Sequence, residues 1–170
     1  IDKAPRDLPN DMLNEIESLS FEIPETGELF QANRENRPVV IMTSNSEKNL
    51  PDAFLRRCIF YHMPFPDADE LSAILKARLK SDYFSPEDVD HLIKQFLKFR
   101  KLLKRKQPST AELLSWIKIL ERMNFKNTAS MSDFSKLSES EKDILLTSYS
   151  ILAKTKEDYL DLQRQIASAG

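Results

Sequence analysis

The sequence predicts an α/β layer followed by an all-α bundle. Three observations lead there. Residues 39–42, Val-Val-Ile-Met, form an unbroken apolar run, the pattern of a parallel strand covered on both faces. Residues 58–63 form a second strand-like run, ended by Pro64 and Pro66, which cannot donate to a ladder. From Asp67 onward, apolar residues recur at helical spacing in one segment after another. A length of 170 residues sets a prior of one domain, or of a small domain plus part of another. The expected division is 1–66 for the α/β part and 67–170 for the helices.

Taken in order, Leu8, Met12, Ile16 and Leu19 recur at helical spacing, with Pro9 tolerable only in a first turn. Phe21 and Ile23 then alternate with polar residues, Thr26-Gly27 marks a turn, and Leu29-Phe30 begins the returning strand, which together predict a hairpin. The run 39–43 follows, then a short helix in "LPDAFLRRC" and the second strand. Asp67 can cap a helix whose Leu71, Ile74, Leu75 and Leu79 share a face. Ser85 caps the next, with Pro86 at its first position. Ser109 and Glu112 form a capping box before Leu113, Leu114, Ile117 and Leu120. Residues 124–138 are polar and read as a loop. Two last helices are expected at about 139–153 and 156–166. Two buried strands and a hairpin cannot by themselves make a doubly covered parallel sheet, so part of the layer is missing.

Composition narrows the function. Apolar residues are 41% and charged residues 31%, as in ordinary soluble proteins. No apolar run approaches the roughly eighteen residues that span a bilayer. The start, "IDKAPRDL", has no basic-then-apolar pattern and no initiator Met, so the chain is expected to be a fragment without a visible secretory signal. A single cysteine, Cys58, excludes an internal disulfide framework and fits a reducing, cytoplasmic setting. The net charge of −2 gives no global attraction to nucleic acid. With two glycines, the chain holds no Gly-rich phosphate-cradling loop.

The run 39–43 leads into a polar patch containing Asn45, and two adjacent cations, Arg56 and Arg57, close the short helix beyond it. Read alone, Asn45 fits a strand-end Asx turn as well as a ligand contact. Two neighbouring arginines are most often solvated surface. A wider pattern changes the weighting. Together, "IDKAPRDLPNDMLNEIE", "VVIMTSNSEKNLPDAFLRRC" and "PSTAELLSWIKIL" resemble the MoxR-like branch of AAA+ ATPases. The resemblance covers the chain to about Leu120, and "ILAKTKEDYLDL" more loosely.

That resemblance implies a partial AAA+ P-loop sheet, holding its fourth and fifth core strands plus a hairpin, followed by a helical lid. The P-loop and the Walker B acidic pair lie upstream, with "IDKAP" continuing the Walker B strand. Asn45 matches the sensor 1 position, where a neutral amide donates toward the γ-phosphate or orients the attacking water. Arg57 matches the arginine finger, supplied in trans to a neighbouring subunit, and Arg56 points elsewhere, toward the subunit interface. The lid position that carries a sensor 2 cation in related ATPases is Thr110 here, a neutral departure. Lys104, Arg105 and Lys106 are nearby basic alternatives. The ligands implied are ATP and Mg2+, held mainly by the upstream part. The assembly implied is a homo-oligomeric ring, commonly hexameric, acting on a protein substrate or with a von Willebrand factor A-type partner.

Other candidates carry less. Residues 98–106 hold six basic residues in nine, a pattern for an acidic partner or nucleic acid but more often one solvated helix face. Cys58 and His62 share a strand face too far apart for nucleophile–base contact, which leaves core packing. His91 has no Cys or His at metal-ligand spacing. Trp116 fits lid packing. Asp2 either supports the acidic pair or caps a helix. The rival function is a non-catalytic helical interaction module that keeps the ATPase scaffold without its activity.

Overall fold

The first helix, α1 (Leu8–Ser18), carries Pro9 in its first turn and buries Pro9 and Leu13 on one face. In this computed structural model the chain is described except at Arg6, Arg34, Asn36, Ser46, Glu47, Lys104 and 168–170, and at residue 167 for its backbone only. It divides into two units, Ile1–Met63 and Pro64–Gly170.

In the first unit, α1 ends at Leu19, whose φ of 54° lies in the left-handed region, and its N–H returns to the Glu15 carbonyl. The hairpin β1 (Ser20–Ile23) and β2 (Glu28–Gln31) follows, antiparallel, with Phe21 opposite Phe30 and Ile23 opposite Glu28. The turn requires Gly27, which adopts φ 68° and donates to the Ile23 carbonyl at 2.8 Å. Phe21 and Phe30 stack at 5.1 Å while remaining about half exposed. The short helix α2 (Asp52–Leu55) packs on α1 and buries Phe54.

The expected buried strands are not formed. Among the described residues the sheet is β1–β2 alone, and neither 39–43 nor 58–63 joins a ladder. Val39 is 90% exposed, Ile41 85%, Ile59 101% and Phe60 80%. The reason is that a strand obtains its ladder and its cover from neighbouring strands remote in sequence, and among the described residues no strand lies beside either segment. Among the described residues the two segments do not pair with each other either. His62, expected in the core, is exposed for the same reason, and Cys58 is half-buried.

The second unit is helical. It comprises α3 (Ala68–Arg78), α4 (Pro86–Leu102), α5 (Thr110–Arg122), α6 (Glu139–Ser148) and α7 (Lys156–Ala167). Capping boxes start four of these helices, at Asp67/Glu70, Ser85/Asp88, Ser109/Glu112 and Ser138/Glu141. Leu71, Leu92, Phe96, Phe99, Trp116 and Tyr149 are fully buried in one core. The Trp116 indole N–H donates to Ser148 Oγ at 2.9 Å, and the Ser148 hydroxyl donates in turn to the Leu145 carbonyl at 2.8 Å.

The stretch 124–138 is not the polar loop expected. It contains two 3₁₀ turns, Ala129–Ser132 and Phe134–Lys136, and buries Phe125, Met131, Phe134 and Leu137. Its start explains the difference. Asn124 takes φ 56° after α5, so that its N–H reaches the Glu121 carbonyl at 3.0 Å and that of Phe125 reaches Leu120 at 2.9 Å. This Schellman closure turns Phe125 back onto the core. A little further on, Thr128 donates to Asp88 Oδ1 at 2.5 Å, fastening the stretch to the first turn of α4. The expected helix 139–153 also stops earlier, at Ser148, and continues as a 3₁₀ turn, Tyr149–Ile151, that buries Tyr149.

The capping-box carboxylates link this unit to pH. At Asp88, burial raises the pKa, but hydrogen bonds from Thr128 and Ser85 outweigh it and hold the carboxyl below its usual range. At Glu112 burial again opposes, and is outweighed by the Ser109 bonds and by Lys154. The Ser109-like bonds of Ser138 lower Glu141. A lowered folded-state pKa gives stability that is present above the unfolded value of about 4 and is lost as pH falls through the folded value. Urea midpoints are therefore expected to be flat from pH 7 to about 5 and to fall steeply below about 4. Asp88→Asn should lower the midpoint at pH 7 and flatten the acid limb. An unchanged acid limb in that variant would remove Asp88 from this role.

Candidate functional site

Asn45 and the two arginines lie in the first unit, and Thr110 lies in the second. Asn45 is exposed and follows 39–43. The beginning of the chain lies against this stretch, because Ile1 N donates to the Thr43 carbonyl at 2.8 Å. Asp2 is only 4% exposed. Chain segments 42 residues apart thus meet two positions before Asn45.

Arg56 and Arg57 are positioned by α2. Pro51 starts the helix, and Phe54, 2% exposed, anchors it against α1. The turn is closed by Arg56 N–H to Asp52 and Arg57 N–H to Phe54, at 3.0 and 3.1 Å. Both side chains are exposed. The Arg57 guanidinium is nevertheless held at two points. Nη1 donates to the Ala53 carbonyl at 3.4 Å, and Nε lies 3.3 Å from Glu17 Oε1 on α1. Sequence reasoning missed Glu17. No local signal marks it, because it meets Arg57 only through the packing of α2 on α1.

Thr110 is the first residue of α5 and is half-buried. Ser109 and Glu112 already close the cap, with Ser109 N–H to Glu112 Oε2 at 2.6 Å. The Thr110 hydroxyl has no part in that closure.

The basic run divides. Arg100 is taken up structurally, its guanidinium 3.6 Å from the Phe65 ring centroid and bonded to the Pro108 carbonyl. Lys98 and Lys101 are exposed and border a shallow cavity of about 280 Å³ with Phe99, Leu102 and Gln165. Arg105 and Lys106 are exposed before α5, and Lys104 lies outside the described residues. His91 Nδ1 contacts Thr128 Oγ1 at 3.4 Å and serves the junction with α4. Among the described residues, no three His, Cys, Asp or Glu side chains gather as a metal would require, and no helix is long and apolar enough to cross a membrane.

Comparison with protein-family models, with curated proteins and with solved structures finds no match.

Proposed function

We propose that this chain is the C-terminal part of the ATPase module, with its helical lid, of a MoxR-like AAA+ ATPase. The parent protein couples ATP binding and hydrolysis to remodelling of a protein partner. The observation that carries this reading is the bare apolar backbone at 39–43 and 59–63, where Ile41 is 85% and Tyr61 80% exposed. A self-sufficient domain buries such contiguous apolar residues, whereas a layer cut out of a larger sheet leaves them uncovered. The P-loop strand and its neighbours, expected upstream, are the natural cover. The Ile1–Thr43 contact adds to the case, since an acidic pair just before Ile1 would lie beside the stretch leading to Asn45.

The chemistry of the residues fits phosphoryl transfer. Asn45 offers a neutral N–H donor, able to aid the transition state without holding the product as a cation would. Arg57 offers a fixed, planar cation for the charge that spreads over a transferring phosphoryl group. Thr110 is neutral, so the lid supplies a hydroxyl at this position. Mg2+ requires oxygen ligands, and its carboxylates belong to the upstream acidic pair. Bound ATP supplies the phosphoryl group. A finger in trans calls for a ring, commonly hexameric, and the substrate or von Willebrand factor A-type partner docks on the whole assembly.

Asn45→Ala in the full-length gene product tests this reading. ATP binding should be nearly unchanged, while turnover falls about a hundredfold, on the order of 3 kcal/mol in the transition state. Wild-type turnover in this variant would remove the assignment. The rival, an interaction module without catalysis, is favoured by the second unit's complete core of its own. A full-length protein that binds its partner and hydrolyses no ATP would establish that alternative.

A further inference from the structure

We infer that Glu17 is a positioning residue for Arg57. The inference rests on the finger assignment above and adds to it the group that aims the finger. An arginine side chain is long and samples many rotamers when it is unheld. A finger left free would lose that freedom anew whenever it engaged a neighbour's phosphoryl group. Here two contacts fix it beforehand, Nε to Glu17 Oε1 at 3.3 Å and Nη1 to the Ala53 carbonyl at 3.4 Å. Both originate on packed elements. Glu17 stands on α1, and Ala53 lies in α2, which is fastened to α1 through the buried Phe54. Glu17 engages Nε, on the stem side of the guanidinium, and among the described residues no bond of Nη2 is seen, which leaves that end for a phosphate oxygen.

The exposures of the two side chains, 47% and 61%, decide what kind of role this is. An ion pair so open to water adds little to folding. Removing the carboxylate therefore leaves the fold intact and alters the aim of the cation. The expected loss is correspondingly modest, about fivefold in turnover, far below the loss from removing the cation itself.

The experiment compares Glu17→Ala, Glu17→Gln, Arg57→Ala and the double variant Glu17→Ala/Arg57→Ala in the full-length protein. ATP hydrolysis is followed under multiple- and single-turnover conditions, and melting temperature is recorded for each. Glu17→Ala should lower kcat about fivefold with KM for ATP and melting temperature unchanged. Glu17→Gln, which keeps an acceptor oxygen, should recover part of the loss. In the Arg57→Ala background, Glu17→Ala should have no further effect, because its partner is gone. A fivefold loss that persists in that background, or a gain in turnover on removing Glu17, overturns the positioning role while leaving the finger in place. An Arg57→Ala protein with wild-type turnover overturns the finger and this inference together.

Discussion

Arg57→Ala in the full-length protein is expected to lower ATP turnover by about a thousandfold, roughly 4 kcal/mol of transition-state stabilisation. Binding of ATP should change far less, because charge accumulates on the equatorial phosphoryl oxygens as the bond breaks. The position of Arg57 motivates the size. Its guanidinium is about half exposed, yet held by Glu17 and Ala53. A finger supplied in trans would have its own signature. Subunits carrying Arg57→Ala, mixed with subunits that keep Arg57 but have an inactivated P-loop, should regain part of the activity. Mixtures that give only the weighted sum of the two variants would show that the finger is not shared across an interface. Arg56, exposed one residue earlier, should have a smaller effect when replaced by alanine.

Trp116→Ala is the second large effect, expected to cost about 4 kcal/mol of stability in the helical unit. The indole is fully buried, 6.1 Å from the Phe99 ring at 67° and 6.5 Å from Tyr149 at 48°. Phe99 and Tyr149 themselves meet edge to face at 4.8 Å. Truncation empties the centre of this cluster and leaves Ser148 Oγ without the indole N–H. A domain of this size has only about 5–15 kcal/mol in total, so the change takes a large share of it. Urea unfolding should be followed by far-UV circular dichroism, since Trp116 is the sole tryptophan and cannot report on its own removal. Trp116→Phe, which keeps the ring and loses the donor, should cost markedly less. Equal losses for the two variants would show that the Ser148 bond, rather than the filled volume, dominates.

The helical unit was largely readable in advance, and the residues show why. Helix starts are set by side chains three positions apart, so Asp67/Glu70 and Ser109/Glu112 announce themselves in any window of sequence. The hairpin was legible through Gly27, because a turn at positive φ selects glycine locally. The stretch 124–138 was not legible. Its polar composition hides four apolar anchors, and their inward course depends on a left-handed Asn124 and on the bond from Thr128 to Asp88, 40 residues earlier. Asn45 and Arg57 became candidates through the pattern around them, and nothing local marked Glu17 as the partner of Arg57.

By itself, then, the sequence determined the local geometry: where helices begin, where the hairpin turns, and which residue types stand at each candidate position. These follow from interactions within a few residues, such as caps, turn dihedrals and hydrophobic periodicity. Only the tertiary structure decided burial and pairing. Residues 39–43 and 58–63 carry every local mark of inner strands, yet Val39 and Ile59 are open to solvent, because cover and ladder bonds come from segments remote in the chain. The same holds for the contacts that matter most to the proposed chemistry. Ile1 meets Thr43 and Glu17 meets Arg57 across some 40 residues, the second through the packing of α2 on α1, and no local preference fixes either meeting.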